Sequence, residues 1–199
     1  MMDDDPTRRP EIERLEMILC RDPTVGAILQ RARALDLPDW YLGAGGVAQT
    51  VWNHLHGFEP MTGIKDYDLV YFDETDLSAG GEQVRARSVT EQLGDLDVTL
   101  DVKNEARVHL WYEQRFGIKI PPYRSTEHAI STWPTTASSI GVRSEAQGVV
   151  VCAPFGLDDL FSMVVRANKT LISEEIYLAK VERWLQHWPR LTIVPWEHA

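Results

Sequence analysis

The sequence contains few cysteines and no long hydrophobic run. Cys20 and Cys152 are its only 2 cysteines, far apart among 199 residues, so we expect buried free thiols rather than a disulfide framework or a CxxC metal site. No segment approaches the length needed to cross a bilayer, and no apolar run of the kind found in a signal peptide follows residues Met1–Pro10. These absences disfavour secreted and membrane proteins, and we expect a soluble cytoplasmic protein without a membrane partner.

Positive charge is also scarce. Lys and Arg number 20 against 30 Asp and Glu, which gives a formal charge of -10. This sign disfavours a protein that grips a long phosphate backbone, so no DNA duplex is expected as a partner. A small nucleotide carried with Mg²⁺ remains compatible, because the metal masks much of the nucleotide's charge.

The chain shows no internal repeat and no low-complexity segment. Its length suits one domain, 1–199, with a substantial buried core. The 7 tryptophans leave room for a buried interface such as that of a homodimer, and the sequence leaves the oligomeric state open.

Hydrophobic periodicity and turn residues predict alternating helices and strands. In the first half these are helices at Glu11–Cys20, Thr24–Leu35, Val47–His56, Glu82–Leu93 and Asn104–Phe116, with strands at Trp40–Leu42, Tyr67–Phe72 and Leu96–Lys103. The second half predicts a helix at Ser125–Trp133, a hairpin of Ser139–Arg143 with Gly148–Cys152, and helices at Leu157–Ala167 and Ser173–His187. We therefore expect a core at about 38–120 and a helical C-terminal part at about 121–199.

A pair of aspartates in the second predicted strand is the most informative local feature. Asp66 and Asp68 are two residues apart, so in an extended strand their carboxylates face the same side. Two adjacent carboxylates repel at neutral pH unless a metal ion, a shared proton or full solvation offsets the repulsion. The pair therefore points to a cation site.

Two further features could complete such a site. Gly45 and Gly46 stand before a predicted helix, whose free N–H groups and partial positive charge suit a phosphate. Asp97 and Asp101 share one face of the next acidic strand, but they lie roughly 13 Å apart along it, so only one can join a common centre. Carboxylates near a phosphate-binding site are typical of Mg²⁺-dependent phosphoryl or nucleotidyl transfer.

These residues resemble the nucleotidyltransferase superfamily of the DNA polymerase β type. Its signature is a glycine pair at a helix start, an Asp-x-Asp on the next strand and a third carboxylate on a later strand. The Gly-Gly-Val at 45–47 and the Lys-Asp-x-Asp-Leu at 65–69 look most like the head of tRNA CCA-adding enzymes, although Ala48 and Gln49 replace the Arg-Asp usual there. Longer segments between Trp40 and Lys169 resemble a bacterial nucleotidyltransferase-like family.

The resemblance implies an α/β (α+β) nucleotidyltransferase fold, with a mixed β-sheet flanked by helices and additional N- and C-terminal helices. It implies that Asp66 and Asp68 bind two Mg²⁺ ions, with Mn²⁺ as the alternative metal. The resemblance also favours Asp101 over Asp97 as the third metal ligand, and it implies that Gly45 and Gly46 lie against the triphosphate.

Two cations are candidates for phosphate contacts. Lys65 precedes the aspartate pair and either points at phosphates or balances the local charge. Arg107, in the segment after Asp101, is placed where it could reach a phosphate.

The function expected from these features is Mg²⁺-dependent transfer of an NMP unit from an NTP to a hydroxyl of a small molecule, a protein or an RNA end, with release of pyrophosphate. The alternative is a non-catalytic nucleotide-binding module of the same fold, acting as a regulator or a toxin–antitoxin component.

Overall fold

A five-stranded mixed sheet forms the centre of the computed structural model, which describes residues 9–199. The acidic and then basic beginning of the chain, residues 1–8, lies outside the described residues. The strands follow the spatial order β3-β2-β1-β4-β5, and their bounds are β1 Tyr41–Gly43, β2 Tyr67–Tyr71, β3 Leu100–Asn104, β4 Gly141–Glu145 and β5 Gly148–Cys152.

The sheet combines antiparallel and parallel pairing. Strand β1 pairs antiparallel with β2 and β4, whereas β2 and β3 are parallel. Parallel neighbours need a long crossover connection, and a helix at Ala79–Leu93 supplies it. The hairpin β4–β5 adds to the other side of β1, so the sheet extends beyond the boundary expected near residue 120. The predicted α/β class with a mixed sheet is confirmed.

Helices cover the sheet and extend the fold at both ends. Their bounds are α1 Arg9–Arg21, α2 Pro23–Ala32, α3 Ala44–His56, α4 Ala79–Leu93, α5 Tyr112–Phe116, α6 Thr126–Ile130, α7 Asp158–Phe161 and α8 Glu174–His187. Two of the helices have recognisable end signals. Asp22 Oδ1 accepts hydrogen bonds from the backbone N–H groups of Thr24 and Val25 at the start of α2, and Gly57 ends α3 in the left-handed conformation.

Strand β3 is shorter than predicted, and this changes the position of Asp97. Residues Gly94–Leu96 form a 3-10 turn, and Asp97 adopts a φ of 51°. A residue in the left-handed region cannot continue an extended strand. The expectation that Asp97 and Asp101 share a strand face is therefore wrong, because the strand begins only at Leu100.

Two predicted helices are interrupted. The segment after Asn104 is a 3-10 helix at Glu105–Leu110 followed by the short α5. After α7, Met163 has a φ of 56°, and the β-branched residues that follow form strand β6, Val164–Val165. This strand pairs in parallel with β7, Thr192–Ile193. The helix expected over 157–167 is thus replaced by one helical turn and a second, two-stranded sheet.

Three buried tryptophans attach α8 to α3. The ring of Trp52 in α3 meets the rings of Trp184 and Trp188 edge-on, at centroid distances of 5.1 and 5.8 Å. Trp188 Nε1 also donates to Asn53 Oδ1 at 2.7 Å. Aromatic burial of this size, with an edge-to-face geometry, stabilises a helix pair strongly. The contacts fix α8 beside the end of the sheet where α3 begins.

Within residues 9–199, no helix combines the length and hydrophobicity that crossing a membrane requires. Cys20 is exposed and Cys152 is partly buried, and both are free; the expectation of two buried thiols is therefore wrong for Cys20.

Candidate active site

A cavity of about 330 Å³ lies where α3, β2, β3 and α8 meet. Such a volume is within the range of small-ligand sites. Its lining combines acidic, basic, aromatic and glycine residues, among them Gly45, Lys65, Asp66, Asp68, Lys103, Glu105, Trp133, Lys180, Arg183 and His187.

Asp68 lies between two neighbouring strands at this cavity. In the sheet register it is opposite Asp101 of β3 and opposite Gly43 of β1, the residue before α3. Directly opposed residues in a sheet project to the same face, so the carboxylates of Asp68 and Asp101 are neighbours. Asp66 immediately precedes β2, is exposed, and lines the same cavity. The fold thus places Asp66 and Asp68 in the lining of the cavity and Asp101 next to Asp68 in the sheet, although Asp101 is not itself a lining residue.

The pKa of Asp68 reflects this crowding. Burial raises it most, and the charges of Asp66 and Asp101 raise it further, to about 7. Lys180 and Lys103 oppose the shift only in part. Withdrawal from water and the two neighbouring carboxylates thus both favour the protonated form of Asp68 until a cation offsets the charge.

Glu105 is the third carboxylate that lines the cavity, beside Asp66 and Asp68, and it was not among the residues predicted from the sequence. Its side chain is buried and, among residues 9–199, has no hydrogen-bond or salt-bridge partner. Burial, followed by the charges of Asp68, Glu82 and Asp101, raises its pKa to about 8. The period of two that joins Asp101 and Lys103 continues to Glu105, but the predicted helix after Asn104 concealed this signal.

The two glycines at the start of α3 have different surroundings. Gly45 lines the cavity, where an added Cβ would closely approach only the flexible Gln49 side chain, at 2.9 Å. At Gly46 an added Cβ would come within 2.8 Å of the Tyr67 ring and 3.1 Å of the Asp66 carbonyl oxygen. Gly46 therefore allows α3 to pack closely on β2. No side chain caps α3. The Ala44 N–H donates to the Ile140 carbonyl oxygen at 3.0 Å, so the first-turn N–H groups that remain for an anion at the cavity are those of Gly45 and Gly46.

Helix α8 forms a cationic wall of the cavity. Lys180, Arg183 and His187 line it from positions i, i+3 and i+7 of one helix face. Burial lowers the pKa of Lys180 and the charge of Arg183 lowers it further, whereas Asp68 and Asp66 raise it. The sequence reasoning missed this wall, although the spacing of the three residues within a predicted helix was a visible signal.

The two cations singled out from the sequence are placed differently. Lys65 lines the cavity beside Asp66. Arg107 does not line it: its guanidinium is buried, donates from Nε to the Leu77 carbonyl oxygen at 2.8 Å, and pairs through Nη1 with Glu82 of α4. Arg107 thus ties the segment after β3 to α4, and this structural role replaces the expected phosphate contact.

The carboxylates at the cavity are chemically suited to a hard cation, but their side chains are not yet arranged around one metal position. Carboxylate oxygens are the ligands that Mg²⁺ prefers, and Asp66, Asp68 and Asp101 supply them. Within the described part of the chain, however, no three His, Cys, Asp or Glu side chains are placed as ready ligands of one metal ion. Asp101 Oδ1 instead pairs with Lys103 Nζ at 2.9 Å, so Asp101 would have to leave this partner to join a metal.

Comparisons with known proteins identify the family and the fold. A family model described as nucleotidyltransferase matches residues 30–193. The fold is similar to a solved structure, determined by NMR, that was described as revealing a CCA-adding enzyme head domain. The TM-score is 0.75 and the sequence identity 24%, with 92% of this chain and 95% of that chain covered. A comparison with curated proteins gives no significant match.

Proposed function

The chain belongs to the nucleotidyltransferase family, whose model matches residues 30–193, and on this basis we propose that it transfers an NMP unit from an NTP to a hydroxyl of an acceptor. The family and the fold support nucleotidyl transfer in general. The observation that carries the specific proposal is the cavity in which Asp66 and Asp68 stand beside the uncapped start of α3.

The proposed nucleotide site uses the two sides of this cavity differently. The first-turn N–H groups of α3 at Gly45, together with Lys65, bind phosphate oxygens. Asp66 and Asp68, joined by Asp101 after it leaves Lys103, hold the metal ions. We propose two Mg²⁺ ions, with Mn²⁺ as a substitute. When bound, the metal neutralises charge on the phosphates and makes an acceptor hydroxyl easier to deprotonate.

In the proposed reaction the acceptor oxygen forms a bond to the α-phosphorus as the bond from that phosphorus to the β-phosphate oxygen breaks, and pyrophosphate leaves. Asp101 accepts the hydroxyl proton at a carboxylate oxygen. The protein contributes chiefly orientation and preorganised charge, which are the main sources of rate in phosphoryl chemistry. Lining residues such as Trp133 restrict water at the reacting atoms.

The acceptor is proposed as a class only: a hydroxyl of a small molecule, a protein or an RNA end. Ala48 and Gln49 differ from the Arg-Asp of CCA-adding enzymes, and we therefore do not propose addition of CCA to tRNA. The cytoplasmic location and the homodimer stay predictions. Trp52, Trp184 and Trp188 are already buried within the monomer and supply no interface.

A labelling experiment tests the proposal. NTPs carrying ³²P at the α-position are incubated with the protein, Mg²⁺, and pools of metabolites, proteins and RNA from cells. We expect label to move from one NTP into one acceptor class, and the Asp66→Asn, Asp68→Asn double variant to transfer none above background. Wild-type protein that binds NTP and moves no label to any pool would support the non-catalytic module instead. That alternative is not favoured, because the chain retains all three candidate carboxylates.

A further inference from the structure

Helix α8 presents to the cavity an ammonium group that has no anionic partner. Lys180 Nζ lies 4.8 Å from the centre of the Trp184 ring. In the part of the chain that the structure describes, it forms neither a hydrogen bond nor a salt bridge, although it lines the cavity. Withdrawing a charged group from water without an acceptor is costly. The position therefore suits an anion that arrives with a ligand.

Among residues 9–199, two carboxylates of the same cavity have no ion-pair partner. Asp66 and Asp68 line it with Lys180. Lys180 and these two aspartates influence one another electrostatically without pairing. A single positive charge near two negative ones offsets part of their repulsion at a distance. Before a ligand binds, Lys180 is thus a nearby cation for the carboxylates proposed to hold metal.

We infer that Lys180 is an exchangeable cation: it offsets the charge of Asp66 and Asp68 in the empty cavity and pairs with the polyphosphate chain when a nucleoside triphosphate enters. This inference rests on the proposed function and deepens it, since it makes metal ion and nucleotide bind cooperatively. The metal competes with the Lys180 charge until the phosphates engage it, and linkage requires the effect to be reciprocal.

The shape of the α8 wall suits a chain of phosphates better than a single one. Lys180, Arg183 and His187 lie along one helix face over seven residues, which is roughly 10 Å at 1.5 Å per residue. Successive phosphates of a triphosphate can therefore meet successive side chains. We expect affinity to fall from triphosphate to diphosphate to monophosphate.

Calorimetry on the full chain tests the exchange with two probes, Mn²⁺ alone and inorganic tripolyphosphate alone. The variant is Lys180→Met, which keeps the apolar stem. The matched control is Lys169→Met, because Lys169 also lies over a tryptophan, 5.0 Å from the Trp196 ring centre, but does not line the cavity. Relative to wild type, we expect Lys180→Met to bind Mn²⁺ about fivefold more tightly and tripolyphosphate about tenfold more weakly. The control should change neither.

The opposite signs make the result specific. A folding defect would weaken both affinities, whereas removal of a cation near both binding positions strengthens Mn²⁺ binding and weakens tripolyphosphate binding. Any result in which the two affinities of Lys180→Met do not move in opposite directions contradicts the inference. Failure of the proposed function has a different signature, a wild-type protein that binds no Mg²⁺·NTP, and it would overturn the inference as well.

Discussion

The sheet side of the cavity and its α8 side differ in how they are built. On the sheet side, Asp68 and Asp101 are held by the paired strands β2 and β3. On the α8 side, Lys180 and Arg183 stand on a helix whose position depends on the packing of Trp184 and Trp188 against Trp52. The acidic half is therefore fixed by backbone hydrogen bonds and the basic half by side-chain packing. Mutations should affect the two halves in different ways.

The largest effect is expected on the sheet side. Asp68→Asn should lower the rate of NMP transfer about 10³-fold, because a removed charge at the reacting centre commonly costs this much, without unfolding the protein. Asp101→Asn should lower it about 10²-fold. Asp97→Asn is the control, since Asp97 is exposed, lies outside β3, and has a left-handed backbone that Asn tolerates. If Asp97→Asn lowers the transfer rate as much as Asp101→Asn does, the assignment of Asp101 as the third metal-binding carboxylate is wrong.

On the α8 side we expect a loss of stability. Trp188→Ala should reduce the free energy of unfolding by about 3–5 kcal/mol, because it empties a buried site and leaves Asn53 Oδ1 without its donor. Urea unfolding followed by circular dichroism measures the change. Trp111→Ala is a control at a partly buried tryptophan outside this packing and should cost clearly less. If the two variants lose equal free energy of unfolding, the tryptophan contacts do not hold α8 in place more strongly than an ordinary partly buried tryptophan would.

Glu105 should make stability depend on pH. Its pKa is raised from 4.5 to about 8 in the folded protein, so the unfolded chain releases this proton first and stability falls as the pH rises from about 4.5 to 8. Glu105→Gln removes the titrating carboxyl and with it this loss of stability. The variant should therefore be more stable than wild type by about 2 kcal/mol at pH 8. The two proteins should converge near pH 4. Calorimetric melting in EDTA tests this, and parallel curves at all pH values would contradict it.

The smallest predicted effect distinguishes the two cations named from the sequence. Lys65→Met should weaken Mg²⁺·NTP binding about fivefold, the loss of one phosphate contact near water. Arg107→Met should leave the dissociation constant unchanged while it lowers stability by about 1–3 kcal/mol, since Glu82 and the Leu77 carbonyl lose their donor. Binding that weakens in Arg107→Met and not in Lys65→Met would reverse our assignment.

What the sequence could predict followed from local rules. The aspartate pair, the Asp22 cap, the Gly57 helix end and the β4–β5 hairpin each depend on neighbours within a few residues, and the structure contains them. Positive backbone angles at Asp97 and Met163 could not be read from residue type, because both are normally compatible with a strand or a helix. For this reason the sequence analysis predicted too early a start for β3 and did not predict β6.

The remainder of the site depends on tertiary contacts. Lys180 lies more than a hundred residues from Asp68, and only the packing of α8 on α3 brings them to one cavity. Glu105 was missed because it begins the 3-10 helix after β3, and only the tertiary fold places that helix start at the cavity. Arg107 lies outside the cavity because Glu82, in another helix, engages it.

The most direct test of the central claim is calorimetric binding of a non-hydrolysable NTP with and without Mg²⁺, repeated with the Asp66→Asn, Asp68→Asn double variant. We predict binding that strengthens markedly with Mg²⁺ in the wild-type protein and loses this strengthening in the variant. A double variant that binds Mg²⁺·NTP as tightly as wild type would show that the two aspartates do not form the site.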